Sequence, residues 1–272
     1  MPTRFASVPN KRAILDRRLL WEAVGDASKS EAAKRLKRAL AGGRAEIARR
    51  LEEKPWQGSE VAAAYAFLTD QVVRLVHDYA LRSLDLDKQP RLLLLAVGGY
   101  GRGEMALHSD VDIAFVTPDR PEPGTTEAIE AMLYLLWDLG LKVGQSSRTV
   151  TELVALAGTD HTVRTALLEA RWLWGDEALH EEAQARFWRE VVAAKAQRFV
   201  SEKLDERNAR HRRMGDSRYV VEPNVKEGKG GLAAEGRELL GDGAAVDDLA
   251  PGRDGGEAVR HQRSPARSRF SR

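Results

Sequence analysis

Apolar positions recur at intervals of three and four along the first third of the chain. Val61, Tyr65, Leu68, Val72, Leu75 and Tyr79 fall on one face of a helix predicted over 59–82, with Ser59 as its N-cap. A stretch rich in Ala, Arg, Leu and Glu predicts a helix over 31–53, broken at Gly42-Gly43. Ile14, Leu19, Leu20 and Trp21 suggest one short helix after a loose start. At Pro90 the pattern changes. Residues 92–97 are a continuous apolar run and read as a buried strand, and 111–116 (VDIAFV) as a second. Pro118, Pro121, Pro123 and Gly124 mark a loop. Ile129, Met132, Leu133, Leu136 and Trp137 form the stripe of a helix over 125–139, ended by Gly140. A third strand is expected within 141–150 and helix over most of 151–170, while 167–174 stays open between a helix end and a strand. A long helix is predicted over 176–213, acidic at its start and basic at its end, as the helix dipole favours.

This order predicts an α+β fold, with a small mixed sheet between helical flanks. Four segments follow: a helical region 1–85, a core 86–175, a helical extension with a Gly/Lys loop 176–232, and a tail 233–272. The tail has no lysine, six glycines, seven arginines and seven acidic residues, with no apolar period. It reads as disordered or out of frame.

Composition narrows the function. Lys and Arg number 43 against 41 Asp and Glu, and the net charge of +2 gives no reason to expect a nucleic-acid partner. The absence of cysteine excludes disulfides, zinc–thiolate sites and a thiol nucleophile. The aliphatic run at 92–97 is far shorter than the roughly 20 residues that span a bilayer. No signal sequence is evident, so no membrane partner and a cytoplasmic location are expected.

The chemistry concentrates in one stretch. Gly98-Gly99-Tyr100-Gly101-Arg102-Gly103 follows the first strand, and Ser109-Asp110-Val111-Asp112 opens the second. Glycines let backbone N–H groups approach an anion closely. Alternation along a strand would place Asp110 and Asp112 on one face. Two adjacent carboxylates repel unless a cation lies between them, and their hard oxygens suit Mg²⁺. The order of elements disfavours a dinucleotide-binding turn, which should open a longer helix, and the Gly-Lys-Ser/Thr of a Walker loop is absent.

The joint spacing, Gly-Gly then Ser-Asp-x-Asp after an apolar strand, resembles the polymerase-beta-like nucleotidyltransferase superfamily. The stretches WDLGLKVGQSSRT (137–149), LLEARWLWGD (167–176) and RHRRMGDSRYVVEPNVKEGKGGL (210–232) extend the likeness. With GRAEI (43–47) and LTDQVVRLVHDYA (68–80), they resemble the N-terminal uridylyltransferase domain of the PII-uridylyltransferase/uridylyl-removing family, over about 30–232. The resemblance implies transfer of UMP from UTP to a tyrosine of the PII signalling protein, releasing pyrophosphate. It implies that Gly98, Gly99, Gly103 and Ser109 hold the nucleotide and that Asp110 and Asp112 bind Mg²⁺. A third carboxylate is expected from a later strand; Glu169 fills that place, with Asp138 and Asp176 as alternatives. Lys226 and Lys229 lie on a glycine-rich loop that is either plain linker or a cover over triphosphate or partner. The family's phosphohydrolase and glutamine-sensing modules are missing from this sequence, so UMP removal is not expected of it.

Other residues read as structural. His77-Asp78 sits within a predicted helix, and His108 reads as a solvated turn residue. Arg207, Arg210, His211, Arg212 and Arg213 fit a helix end, or contact with phosphates or an acidic patch on PII. After Leu232 the family-like pattern stops. A frameshift there would expose apolar surface and leave a poorly soluble, weakly active chain. Three readings therefore stand: a PII-uridylyltransferase fragment, another nucleotidyltransferase of the superfamily, and a non-catalytic remnant.

Overall fold

A computed structural model describes residues 5–84, 86 and 88–193, together with five helical residues between 201 and 209. The chain divides into two units, residues 1–196 and 197–272, and the architecture below is that of the first. Lys226, Lys229, most of the basic run at 207–213 and the tail 233–272 lie outside the described residues.

Strand β1 (Leu93–Ala96) is buried along its whole length, as an unbroken apolar run requires when helices cover both faces. It pairs antiparallel with β2 (Val111–Thr117), which pairs parallel with β3 (Val143–Thr149). On its other side β1 pairs antiparallel with β4 (Arg171–Gly175). The sheet order is β3-β2-β1-β4, so the fold is α+β with a small mixed sheet, as expected. Strand β4 settles the open stretch at 167–174, and its pairing shifts register between Leu94 and Leu95.

Side chains alternate between two apolar layers. Leu94, Ala96, Ile113, Phe115 and Leu173 face the first. It is built with helices α1 (Lys11–Ile14), α2 (Arg17–Val24), α3 (Lys29–Glu53), α4 (Gly58–Ser83) and α6 (Thr125–Asp138), the five-residue α5 (Gly98–Arg102) lying between β1 and β2. Leu93, Leu95, Ala114 and Val116 face the second, beside α7 (Val150–Thr159), α8 (His161–Leu168) and α9 (Glu177–Phe187).

The helices differ from the sequence expectation in five places. The single N-terminal helix is two, because Asp16 accepts a bond from Leu19 N and caps α2 separately from α1. Helix α3 runs unbroken through Gly42-Gly43. A Cβ on Gly43 would sit 2.6 Å from Leu68 Cδ1 and 2.8 Å from the Ile14 carbonyl. The glycine there permits close helix packing and does not end the helix. Helix α4 starts one residue before Ser59, with Gln57 at the cap position and no side-chain capping bond. Trp137 is half exposed, edge-on to Tyr134, so the α6 stripe is narrower than its apolar residues suggest. The helix expected over 176–213 begins as α9, capped by Asp176, and passes into a π-helical turn at Trp188–Val192; most of its remainder lies outside the described residues. No described helix is long and apolar enough to cross a membrane.

Candidate active site

The first strand delivers its C-terminal end into the glycine turn. Gly98 takes a φ of +60° and Gly103 a φ of +76°, in the left-handed region where a side chain is strained. Between them the chain makes the single helical turn of α5. Gly101 N bonds to the Val97 carbonyl (3.0 Å) and Glu104 N to the Gly99 carbonyl (2.9 Å). Val97 N bonds to the Asp112 carbonyl (3.1 Å), so the turn and the acidic strand are tied at their roots.

Strand β2 begins at Val111, whose N–H donates to the Lys142 carbonyl. Asp112 is therefore on the strand, and Asp110 is the residue just before it, on the approach. Asp112 faces Gly144 across the parallel pair. A Cβ at 144 would overlap Asp112 Oδ1, and a Cβ at 98 would lie 3.6 Å from Oδ2. The carboxylate thus rests between two glycines on neighbouring elements. Burial pushes the Asp112 pKa up, and the charge of Asp110 pushes it further. Among the described residues neither carboxylate takes part in an ion pair. Two adjacent carboxylates in this condition, one of them desolvated, match the donor set of a hard divalent cation. Among the described residues no group of three His, Asp or Glu is gathered closely enough to hold a metal ion alone.

The remaining sequence candidates have other partners. The Ser109 hydroxyl accepts a bond from Ala106 N (2.9 Å) and closes the turn before the acidic pair. Glu169 ends α8 just before β4. Its carboxylate accepts from Arg102 Nη1 (2.8 Å), and Arg102 Nε donates to Glu104 (3.0 Å). Asp176 pairs with Arg91 and caps α9. His77 is buried and bonded to Asp78 Oδ1, in a structural setting.

Sequence reasoning missed Gly144, Arg102, Asp70 and Arg171. Two were visible as anomalies: a glycine inside a strand, and an aspartate inside the apolar run of α4. Asp70 is fully buried, and Arg171 holds it with both terminal nitrogens (2.7 and 2.9 Å).

Comparison with known proteins finds relatives for this chain. A nucleotidyltransferase family model (DUF294) matches residues 44–147, a span containing the glycine turn and both aspartates. The GlnD PII-uridylyltransferase model matches residues 198–234, and its match stops two residues after Leu232. The bifunctional uridylyltransferase/uridylyl-removing enzyme of Novosphingobium aromaticivorans is 56% identical over 236 residues, covering 83% of this chain and 26% of that protein. Those of Erythrobacter litoralis and Zymomonas mobilis are 52% and 46% identical, covering 83% and 85% of this chain and 26% of each relative. The chain is therefore similar over most of its length to the bifunctional uridylyltransferase/uridylyl-removing enzymes and spans about a quarter of theirs, and its residues 44–147 match a nucleotidyltransferase family model.

Proposed function

We propose that this chain transfers UMP from UTP to a tyrosine of the PII protein, in the cytoplasm, using Mg²⁺ held by Asp110 and Asp112. The observation that carries the reading is the Asp112 carboxylate, seated between Gly98 and Gly144 with Asp110 beside it. That the relatives are uridylyltransferases supports uridylyl transfer, and the match to the PII-uridylyltransferase model supports PII as the acceptor.

The residues divide the work. The backbone of Gly98 and Gly99 faces the phosphates, with the first N–H groups of α5 unclaimed by the helix. Gly103 and Ser109 hold the shape of the loop on either side. Mg²⁺, when bound by Asp110 and Asp112, neutralises phosphate charge and favours an ionised acceptor oxygen. The tyrosine oxygen bonds to the α-phosphorus as the α–β anhydride bond breaks and pyrophosphate leaves. The protein supplies orientation and charge, with no covalent nucleophile of its own. Glu169 serves as third carboxylate, a role in which it exchanges Arg102 for the substrate complex.

The test is incubation of the 272-residue chain and its Asp112→Asn variant with α-labelled UTP, Mg²⁺ and PII. Label should appear on PII with the unaltered chain and be lost with the variant. Labelling that persists in the variant, or that goes equally well with ATP, CTP and GTP, overturns the reading.

A further inference from the structure

We propose that Asp70 and Arg171 are positioning residues, a buried charged strut by which helix α4 holds the glycine turn at the height the nucleotide requires. The inference rests on the nucleotide-binding reading of that turn. A fully buried carboxylate is costly unless paired and hydrogen-bonded, and Asp70 is at 0% exposure in the middle of α4. It receives both terminal nitrogens of Arg171, with Arg74 Nη2 further off at 3.8 Å. Arg171 does more than neutralise it. Its Nε donates to the Gly101 carbonyl and its Nη2 to the Tyr100 carbonyl, each at 3.3 Å. Those two oxygens belong to the last turn of α5; that of Tyr100 also accepts from Gly103 N (3.0 Å), and the guanidinium adds a donor to each. One guanidinium thus bridges a helix of the N-terminal region to the floor of the proposed phosphate loop. A planar fork can serve two carboxylate oxygens and two carbonyls together; a lysine ammonium cannot.

The surroundings leave the turn little freedom to settle elsewhere. A Cβ on Gly101 would lie 2.6 Å from the Glu169 carbonyl and 2.8 Å from that of Ala96, so the turn is pressed onto its neighbours. Tyr100 is buried beneath it, with Arg171 5.5 Å from its ring centre. Burial, and then the negative charge of Asp70, push the phenol well above its usual pKa, so it stays neutral beside the pair. A buried ion pair contributes little net stability against a well-packed apolar substitute. What the apolar substitute lacks is a donor for the carbonyls of Tyr100 and Gly101.

Two variants of the 272-residue chain test this. Arg171→Lys keeps a charge opposite Asp70 and gives up the fork; the double variant Asp70→Leu/Arg171→Met replaces the pair by apolar side chains. Backbone amide exchange at Gly101, Gly103 and Glu104 is measured alongside UTP affinity, melting temperature and exchange at Ile113–Phe115. In either folded variant, exchange at the turn should quicken about tenfold while β2 stays protected. The Mg²⁺–UTP dissociation constant should rise about tenfold, as loss of supporting contacts to a site typically produces. Unchanged exchange and affinity in a folded variant overturn the strut. If the double variant does not fold, Arg171→Lys alone decides. Failure of the unaltered chain to bind Mg²⁺–UTP overturns the nucleotide reading instead, and the exchange data still decide whether the strut holds the turn.

Discussion

Gly144 stands across the parallel strand pair from Asp112 with no room between them for a methyl group: a Cβ at 144 would overlap Asp112 Oδ1. The obstructed atom is the end of a side chain, so a substituted chain escapes the clash by turning the carboxylate. Gly144→Ala should therefore fold normally, with a melting temperature within a few degrees of the original, yet lose transfer about 100-fold by misplacing the acid. Parallel melting and labelling assays check the split. A variant with full activity would show that Asp112 needs no fixed orientation.

Asp112→Asn should raise stability at neutral pH while removing transfer by about 100-fold or more. The folded pKa of Asp112 is raised, so its ionised form is disfavoured in the folded state. That penalty is absent where both states are protonated, grows as pH rises from the ordinary aspartate value through the raised one, and is constant above. The gain in melting temperature over the unaltered chain should be present at pH 7 and vanish in acid. Added Mg²⁺ should raise the melting temperature of the unaltered chain and leave that of the variant unmoved.

Gly43→Ala trades better helix propensity for a collision. Alanine gains about 1 kcal/mol over glycine within a helix. The new methyl would meet Leu68 and also the Ile14 carbonyl, a backbone atom that cannot rotate away. Overpacking costs of about 1–3 kcal/mol should prevail, giving a net loss of stability by urea denaturation. A more stable variant would mean that α3 and α4 separate freely.

Asp176 works twice, accepting from Arg91 Nε (2.6 Å) and from Leu179 N at the start of α9 (2.8 Å). Asp176→Ala removes both contacts and should cost about 1–2 kcal/mol. Asp176→Asn keeps an acceptor for the cap and should cost less. The Arg91 guanidinium, and then the Leu179 N–H, hold the Asp176 pKa below the ordinary value. Its contribution is therefore complete above that value and is lost as pH falls through the lowered one. The difference between the unaltered chain and Asp176→Asn should fade in acid; a constant difference would remove the charge from the account.

Strands β1, β2 and β3 and the glycine turn were legible because their signals are local, whereas β4 falls in a stretch that stayed open between a helix end and a strand. An apolar run of six, a glycine-rich turn and an Asp-x-Asp pair declare themselves within 21 residues. The parts that were not legible depend on distant neighbours. Gly42-Gly43 has the composition of a helix break, and only the approach of Leu68 explains why the helix passes through it. Trp137 carries the right period but stays half exposed, edge-on to Tyr134. Glu169 was placed near the site by likeness of pattern, while its engagement with Arg102 joins residues 67 apart in sequence. Asp70 stands within the apolar run of α4 with Arg74 four residues on, and nothing local points to Arg171, the cation that holds it from 101 residues away.

The links from α4 to β4 also set an order of assembly. Asp70 and Arg171 are 101 residues apart, Arg74 and the Leu173 carbonyl 99, and Asp78 and Trp174 96. Helices α3 and α4 pack through neighbours close in sequence and can form early; closing a loop of a hundred residues comes late and slowly. Until Arg171 arrives, Asp70 has no fork to answer it, and the carbonyls of Tyr100 and Gly101 lack the guanidinium that ties them to α4. A growing chain therefore completes its glycine turn only after β4 has been synthesised. On the nucleotide-binding reading proposed above, capture of UTP would require a chain made at least that far.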